Sequence, residues 1–428
     1  MKERTPLAPA STRRQLPRWT DLRDLAQFRK PTLRPSERRL TNALTIRDLR
    51  KAATRTTPRA IFDYVDGAAE EEITATRNIA AYRRVTFQPD ALTSVADPDP
   101  SVDLFGRRIP MPLVFAPTGY TRMMHHHGES AVARVAEHVG IPYTLSTMGS
   151  TSIEDVRLAS PRGDLWFQLY LTADDELNET LVAKAETAGY STILLTVDTM
   201  VSGMRLRDVS NGLTVPPTLT AKTVLNMSRF PGWTFNKLTT PGVTFAALGS
   251  AVEGRPTPGQ VANLMFDPSL DLGSLEWLRR RWKGQLLVKG VTTPDSARKI
   301  MGGGADGVIV SNHGGRQLDR SAATLDVLPA IRAAVGDHAT VLIDGGIRHG
   351  QDIVAARALG ADAAMIGRAY LYGLMAGGED GVLRTYDILA AEYLRCMQLL
   401  GVRRSGDLCA DHVAFTPHGS DGCSHVSV

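Results

Sequence analysis

The sequence predicts an α/β protein built as a (β/α)8 TIM barrel, with an N-terminal helical arm and a long insertion after the fourth strand. Eight short apolar runs lie between residues 113 and 366, and each ends in a glycine, proline or polar cluster. Amphipathic helical segments follow these runs. Continuous apolar runs of this kind are typical of parallel strands that are buried on both faces.

The spacing of the runs favours eight βα units over a doubly wound sheet of six strands. Their starts are 21–34 residues apart, except for one interval of 93 residues. Residues 113–367 have the usual length of a (β/α)8 barrel. The predicted strands are Leu113–Ala116, Tyr143–Leu145, Trp166–Leu169, Ile193–Val197, Leu286–Val288, Gly307–Val310, Val341–Ile343 and Ala363–Ile366.

The segments outside these units give the domain boundaries. Residues 1–40 are rich in Pro, Arg, Ser and Thr and are predicted to form an extended arm, before helices at Thr45–Ala53 and Pro58–Val65. The barrel domain is assigned to residues 41–410, and residues 411–428 to a C-terminal tail. Within the barrel, residues 206–270 are predicted to form a long loop on the active-site face.

Composition excludes several classes of protein. Hydrophobic residues make up 43% and charged residues 22%, which does not fit a disordered, collagen-like or coiled-coil chain. The three cysteines, Cys396, Cys409 and Cys423, form neither a disulfide framework nor a metal-ligand pattern. With no long apolar run and no signal-peptide pattern, we expect a cytoplasmic protein.

The charge is unevenly distributed along the chain. The net charge is +4, but residues 1–51 carry +9 and the rest of the chain carries −5. The basic arm is either a solvated tail or a contact with an anionic membrane surface, where each basic residue adds roughly 1 kcal/mol. The sequence contains no recognisable nucleic-acid module.

Polar or phosphate-compatible residues follow the predicted strands, where barrel enzymes place their chemistry. The two turns that follow strands 7 and 8, DGGIRHG at 344–350 and GRAYLYG at 367–373, combine glycines with arginines. Glycines let backbone N–H groups approach an anion, and arginines add bidentate donors. We therefore predict a phosphate site at these two turns.

Two further groups of residues indicate carboxylate binding and proton transfer. Arg205 and Arg316 follow different strands, and two converging guanidinium groups suit a small acid, although surface salt bridges are the alternative. His313 directly follows strand 6 and is the candidate general base, with Asp198 placed to orient it. Lys289 ends strand 5, either as a Schiff-base nucleophile or as a fixed charge beside a cofactor.

The run His125–His127 resembles a metal cluster. It is expected to lie at a helix start, where adjacent side chains do not share a face. A metal site is therefore not predicted here.

Eight motifs occur in an order that resembles a known family. They are FDYVDGAAEEE at 62–72, APTG at 116–119, FQLY at 167–170, LTVDT at 195–199, VKG at 288–290, SNHGGRQLD at 311–319, LIDGGIRHG at 342–350 and IGRAYLYGL at 366–374. The chain is similar to the FMN-dependent α-hydroxy-acid dehydrogenases and oxidases, the glycolate oxidase-like family. Its overall sequence is most similar to those of the actinobacterial L-lactate dehydrogenases. The resemblance covers roughly residues 40–410.

The resemblance implies an FMN cofactor and a role for each matching residue. It implies that His313, Asp198 and Tyr170 are catalytic and that Tyr64, Arg205, Arg316 and Tyr170 bind the substrate. It also implies that FMN is held by Thr118, Ser146, Gln168, Thr196, Lys289, Ser311, Asp344, Gly346, Arg348, Gly367 and Arg368. In this interpretation Lys289 stabilises the negative charge of the reduced flavin, which then outweighs the Schiff-base alternative.

The implied reaction is oxidation of an L-2-hydroxy acid, with L-lactate as the best candidate, to the 2-keto acid. The implied electron acceptor is a quinone, a cytochrome or a similar molecule. An oxygen-using oxidase or monooxygenase and, more distantly, a Schiff-base aldolase are the alternatives. Hydride transfer and formation of a carbanion both remain open as mechanisms. The family also implies a homo-oligomer, with tetramers known among its members.

Two residues depart from the oxidase pattern, and one module is absent. Met148 stands where glycolate oxidase has tryptophan, which reshapes the substrate pocket. Gly119 stands where strong oxidases usually have alanine, which favours a dehydrogenase. The HPGG haem-ligand motif of haem-fused relatives does not occur in the sequence.

Overall fold

The computed structural model describes residues 35–212, 227–246, 248 and 267–416, together with residues 16 and 18–20. Its centre is a closed barrel of eight parallel strands, which confirms the predicted fold class. Each barrel strand pairs with its neighbours in chain order, and the last pairs with the first. The barrel strands are β4 (Leu113–Phe115), β5 (Tyr143–Ser146), β6 (Leu165–Leu169), β7 (Thr192–Thr196), β8 (Gln285–Val291), β9 (Gly307–Val310), β10 (Thr340–Ile343) and β11 (Ala363–Ile366).

Two small antiparallel pairs complete the strands. β2 (Val102–Leu104) and β3 (Arg107–Ile109) form a hairpin that contributes Leu104 and Ile109 to the core inside the barrel. β1 (Thr86–Phe87) pairs with β12 (Val413–Ala414) and joins the two ends of the domain. The predicted C-terminal tail therefore begins too early at residue 411, because residues 413 and 414 are paired with a strand. Residues 417–428 lie outside the described part of the chain.

Helices surround the barrel and precede it. Those before the barrel are α1 (Pro35–Thr41), α2 (Ile46–Thr56), α3 (Arg59–Asp66) and α4 (Ile73–Arg83). Those between the strands are α5 (Thr121–Met124), α6 (Gly128–Val139), α7 (Ile153–Ala159), α8 (Asp175–Thr187), α9 (Leu206–Ser210), α10 (Pro231–Thr239), α11 (Leu272–Arg281), α12 (Pro294–Gly302), α13 (Thr324–Val335) and α14 (Gly350–Ala358). The final helix, α15 (Arg368–Leu400), bends at Gly377 and Gly378. In the described part of the chain, no helix is both long and apolar enough to cross a membrane.

The first helices follow from local sequence signals. Thr45 caps α2 in a capping box, in which its side chain accepts from the Asp48 N–H and the Asp48 carboxylate accepts from the Thr45 N–H. Leu49 and Ala53 of α2 are fully buried, in a helix that packs on α15. The predicted helix at Thr45–Ala53 is therefore confirmed, extended to Thr56.

The N-terminal arm and the insertion differ in part from their predicted form. Residues 35–41 are helical and Leu40 is buried, so an extended arm over 1–40 is wrong at its C-terminal end. The described parts of the 206–270 insertion contain α9 and α10 rather than loop alone, and Phe245 and Leu248 are buried. Apolar side chains that the sequence places in a loop thus pack against the barrel. Residues 1–15, 17, 21–34, 213–226, 247 and 249–266 lie outside the described part.

Candidate active site

The site is built from the inward-facing row of each barrel strand. Alternate strand residues point into the barrel, where Trp166, Leu194, Leu287, Ile309 and Leu342 form a buried core. Two positions further along each of these strands the same row becomes polar. It reaches Gln168, Thr196, Lys289, Ser311 and Asp344. A strand period of two therefore delivers all five polar side chains to one mouth of the barrel.

A cavity of about 530 Å³ opens at this mouth. It brings together most of the residues that the sequence assigned to the site. These are Tyr64, Thr118, Ser146, Gln168, Tyr170, Thr196, Arg205, Lys289, His313, Arg316, Asp344, Gly346, Arg348, Gly367 and Arg368. Ser311 is buried and Asp198 largely so, and they contact Lys289 and His313 respectively. The roles assigned to these residues remain predictions.

His313 and Asp198 form a hydrogen-bonded pair across the barrel mouth. Nδ1 of His313 lies 3.0 Å from Oδ1 of Asp198. Burial alone raises the pKa of the Asp198 carboxyl group, but the charge and hydrogen bond of His313, with the charge of Lys289, bring it below its ordinary value. An ionised Asp198 fixes the imidazole orientation and stabilises its protonated form, as a general base requires.

The backbone at His313 is held in an uncommon conformation. Its φ angle is 56°, in the left-handed region that side-chain-bearing residues seldom adopt. The Ser311 hydroxyl accepts a hydrogen bond from the His313 N–H at 3.1 Å, and the Asn312 carboxamide accepts from the Gly315 N–H at 3.1 Å. Asn312 is in turn paired through its carboxamide with Asn78 on α4. The loop is thus fixed on both sides, so that His313 faces the cavity.

Lys289 is a buried cation with two anchoring contacts. Its Nζ lies 2.7 Å from Oδ2 of Asp344 and donates to the Ser311 hydroxyl at 2.8 Å. The side chain of Lys289 is only 5% exposed. An ammonium paired with a carboxylate suits a fixed positive charge better than a Schiff-base nucleophile, which needs a neutral amine.

Arg205 and Arg316 converge on Tyr64, as expected of a carboxylate site. Their guanidinium carbons lie 6.0 and 5.0 Å from the centre of the Tyr64 ring. Burial, together with repulsion by Arg205, lowers the pKa of Arg316 to about 10. A substrate carboxylate between the two guanidinium groups would offset this repulsion and form bidentate hydrogen bonds.

The same cluster contains a carboxylate that the sequence analysis missed. Oδ2 of Asp208 on α9 accepts from Nε of Arg205 at 3.1 Å. Burial raises the pKa of Asp208 in spite of Arg316 and Arg205 nearby. Asp208 lies in the insertion, three residues after Arg205. In a segment predicted to be a loop, an acid and a base at that spacing look the same in sequence as an ordinary surface salt bridge.

Two arginines of the cavity, Arg368 and Arg316, donate hydrogen bonds to backbone carbonyls at the end of α3. Arg368 donates to the carbonyls of Val65, Gly67 and Gly314 at 2.8–2.9 Å, and Arg316 donates to the carbonyls of Tyr64 and Gly67. The carbonyls of Tyr64, Val65 and Gly67 lie at the C-terminal end of α3, where helix carbonyls lack intrahelical partners, whereas that of Gly314 belongs to the His313 loop. Three of the five N–H groups of Arg368 are used in this way, which leaves two for an anion.

Buried polar atoms without partners test whether a flavin fits. Nε2 of Gln168, Oγ1 of Thr196 and Oδ1 of Asp344 are buried and have no hydrogen-bond partner among the described residues. All three residues line the cavity. Unmet donors and acceptors at one buried wall are costly unless a ligand satisfies them. The donor set fits a cofactor that carries ring amides, hydroxyls and a phosphate.

Two further residues that support the pair between His313 and Asp198 were also missed. Gln317 donates to the carbonyls of Asp198 and Val201 and accepts from the Gly203 N–H, so it joins the His313 loop to the loop after β7. Gly290 has a φ of 107°, and a Cβ there would lie 2.7 Å from Cβ of Asp198. Both belong to motifs quoted above, the GGRQ and VKG segments, but only contact in three dimensions shows their purpose.

The comparisons with known proteins agree with this geometry. The family model described as FMN-dependent dehydrogenase matches residues 53–415. The chain belongs to the FMN-dependent dehydrogenase family. A Mycobacterium tuberculosis protein with a provisional L-lactate dehydrogenase name is 47% identical over 94% of this chain and 96% of its own length. A Caulobacter vibrioides L-lactate dehydrogenase is 42% identical over 83% of this chain and 94% of its own.

Solved structures of FMN-dependent dehydrogenase relatives share the fold. The crystal structure of an (S)-mandelate dehydrogenase, described as a monotopic membrane protein, matches with a TM-score of 0.83 and 37% identity. It covers 88% of this chain and 100% of its own. A mandelate oxidase matches with a TM-score of 0.74 and 34% identity over 88% of this chain. Membership of the FMN-dependent dehydrogenase family makes FMN the cofactor of this protein.

Proposed function

We propose that the protein oxidises a small L-2-hydroxy acid, with L-lactate as the best candidate, to the 2-keto acid and passes the electrons to a quinone, a cytochrome or a similar acceptor. One juxtaposition carries the proposal. His313, hydrogen-bonded to Asp198, lines the same cavity as the two arginines Arg205 and Arg316. A 2-hydroxy acid carries both groups that this site can bind: a negatively charged carboxylate for the arginines and a hydroxyl proton for His313.

In this proposal each residue has a physical task. Arg205 and Arg316 bind the substrate carboxylate, while Tyr64 lies against both cations. His313 accepts the substrate proton, and Asp198 holds its ring and stabilises the positive charge. Tyr170, buried beside Asp198 and Tyr64, orients the hydroxyl group. Bound FMN supplies the two-electron redox chemistry, and the protein supplies orientation and electrostatics.

The residues at the base of the cavity are proposed to hold FMN. Lys289, fixed by Asp344, would supply a positive charge that stabilises the negative charge of the reduced flavin. Thr118, Ser146, Gln168 and Thr196 offer hydroxyl and amide groups to the ring and side chain of the flavin. Ser311 supports Lys289, while Gly346, Arg348, Gly367 and Arg368 surround the phosphate.

The substrate is tested by anaerobic titration of the purified, yellow protein. L-lactate should bleach the oxidised flavin absorbance, and D-lactate should not. The names of the relatives supply the second candidate, (S)-mandelate, whose phenyl ring would have to fit beside Met148 and Tyr120. Faster bleaching by (S)-mandelate than by L-lactate would replace the substrate assignment. No bleaching by either acid would overturn the proposed reaction.

An apolar surface beside the cavity supports a membrane-associated acceptor. Met200, Val201, Met204, Leu206 and Val209 are each 39–68% exposed, and two of them, Met204 and Val209, line the cavity mouth. Exposed apolar clusters of this kind mark contact surfaces. The proposal therefore places the protein at the inner face of a membrane as a peripheral enzyme, with the basic arm adding electrostatic attraction. A homo-oligomer remains part of this proposal.

A further inference from the structure

A second cavity lies outside the barrel, away from the proposed substrate groups. Its volume is about 430 Å³. Its walls come from α1, the end of α2, residues 122–127, residues 229–237 and the bend of α15. Met124 contributes to the walls of both cavities. Nothing in the proposed reaction uses this second space.

The lining of the second cavity is strongly basic. It includes five Lys or Arg side chains and, among the described residues, no Asp or Glu. None of the five forms an ion pair within 4.0 Å in the described part of the chain. The hydrogen bonds of Arg39 and Arg122 go to neutral carbonyls, those of Ala376 and Pro241. The five cations are Arg39, Arg55, Arg122, Arg229 and Lys237.

For two of the five cations, Lys237 and Arg39, partial burial has a cost that an anion would reduce. Burial, with repulsion by Arg122, lowers the pKa of Lys237 to about 8. Nε of Arg39 is buried and has no hydrogen-bond partner among the described residues. Positive charges that converge without counter-charges destabilise a folded protein unless an anion neutralises them.

The histidine run forms one side of this cavity and lies at the start of α6, as the sequence predicted, with His127 as the N-cap. The argument that adjacent side chains there do not share a face was wrong, because the three ring centroids are only 4.2–4.8 Å apart. Burial and repulsion among the three rings lower the pKa of His125 to about 3. No group of three or more His, Cys, Asp or Glu side chains in the described residues is placed to hold a metal ion.

Neutral histidines add hydrogen-bonding groups to the cavity. Nδ1 of His126 is buried and has no partner among the described residues. Two acids, Glu379 and Asp380, partly oppose the lowering of the His127 pKa by burial and by Arg134. Glu379 is itself paired with Arg134 at 2.6 Å. These acids do not belong to the lining.

We propose that this second cavity is a binding site for a phosphate-bearing ligand. A phosphate group carries one to two negative charges and several acceptor oxygens, which suits clustered guanidinium and ammonium donors. The cavity volume exceeds what one inorganic phosphate needs, so the ligand carries further atoms or a second phosphate. Both a soluble phosphate ester and a phospholipid headgroup have this chemistry.

The wall formed by α10 is what makes a lipid source reasonable. Lys237 and Trp233 of this helix line the cavity, while Phe235 and Leu238 are 67% and 72% exposed on its other side. A headgroup in the cavity would leave its acyl chains close to these apolar side chains. A soluble ester would leave them in water.

The test uses the FMN-loaded protein, so that the cofactor's own phosphate site is occupied. Binding of inorganic pyrophosphate is measured by calorimetry, and binding to phosphatidylcholine vesicles with and without phosphatidylglycerol by sedimentation. The variant is Arg39→Gln with Lys237→Gln. The control removes the same charge at two exposed positions outside the cavity, Arg38→Gln with Lys283→Gln. Flavin absorbance confirms that each variant is folded.

The two sources of phosphate give different results. Pyrophosphate binding that weakens about tenfold or more in the cavity variant, and not in the control, supports a soluble ligand. Vesicle binding that needs phosphatidylglycerol and is lost in the cavity variant alone supports a lipid headgroup. The proposal is overturned if neither probe binds, or if the control variant weakens binding as much as the cavity variant. This outcome is independent of flavin reduction by a hydroxy acid.

Discussion

Gly119 lies directly against Met148, so the two positions that depart from the oxidase pattern form one contact. A Cβ at residue 119 would lie 2.9 Å from Cβ of Met148 and 3.3 Å from its carbonyl oxygen. The N–H of Tyr120 donates to that same carbonyl at 2.9 Å, which fixes the two segments relative to each other. The space in front of this wall is therefore set by both residues together.

Gly119→Ala should destabilise the protein by about 1–3 kcal/mol, because overpacking a rigid contact displaces the backbone. Thermal or urea unfolding of the FMN-loaded protein measures this. Gly302→Ala is the matched control, since a Cβ there meets nothing within 4 Å. Equal stability of the Gly119→Ala variant and the unchanged protein would show that Met148 moves without cost.

His313→Gln should leave FMN bound but slow flavin reduction by at least about 100-fold, the low end of general-base effects. Stopped-flow reduction with L-lactate measures the rate, and the absorbance spectrum measures cofactor retention. His338→Gln, at an exposed position, is the control. Near-normal reduction by the His313 variant would remove this residue as the base.

Asp198→Asn should reduce stability at neutral pH but not in acid. The folded-state pKa of Asp198 lies below its ordinary value, so its ionisation stabilises the fold above about pH 4, and this contribution is lost as the pH falls through the lowered pKa. Urea unfolding of both proteins from pH 7 to pH 3 should show the difference shrinking.

Asp208→Asn supplies the control of opposite sign for that experiment. Burial raises the pKa of Asp208, so its contribution to stability is present at low pH and is lost as the pH rises through the raised value. The unchanged protein should therefore lose stability relative to this variant as the pH rises. The same pH trend in both variants would contradict the assigned directions.

Arg316→Lys should weaken substrate binding and slow reduction although the charge is kept. A lysine has a single nitrogen, so it cannot form a bidentate fork to the carboxylate while also donating to the carbonyls of Tyr64 and Gly67, as the guanidinium can. The dependence of the reduction rate on L-lactate concentration measures both effects, with Arg298→Lys as the exposed control. Unchanged affinity and rate would place the carboxylate elsewhere.

Deletion of residues 1–34 should weaken association with anionic vesicles and leave flavin reduction unchanged. The deletion stops before α1, because Leu40 is part of the core. Attraction through the arm should fall with salt, since the Debye length is about 8 Å at physiological ionic strength. Equal vesicle binding by the full and shortened chains would show that the basic arm does not contribute to the contact.

The preference for an acceptor is a separate prediction that concerns Gly119. Reduced flavin should be reoxidised faster by a quinone analogue than by oxygen, as expected of a dehydrogenase. Rapid mixing of the reduced protein with each acceptor measures the two rates. If oxygen reoxidises the flavin as fast as the quinone analogue does, the protein is better described as an oxidase.

The sequence by itself determined the barrel and the candidate residues at the strand ends. All eight strands were predicted, because strands buried on both faces leave uninterrupted apolar runs. Polar residues such as Lys289 and Ser311 continue the inward row of those runs. Residues that lie on the same face of one strand can be identified from the sequence, because they alternate at a fixed spacing.

Only the tertiary structure decided which distant residues meet. The ion pair between Lys289 and Asp344, the contact between Gly119 and Met148, and the pairing of Asp208 with Arg205 in a predicted loop depend on side-chain direction and loop path. The basic cavity beside His125–His127 joins segments that are up to 341 residues apart. Burial and charge at such places depend on how separate segments pack, and no local pattern in the chain carries that information.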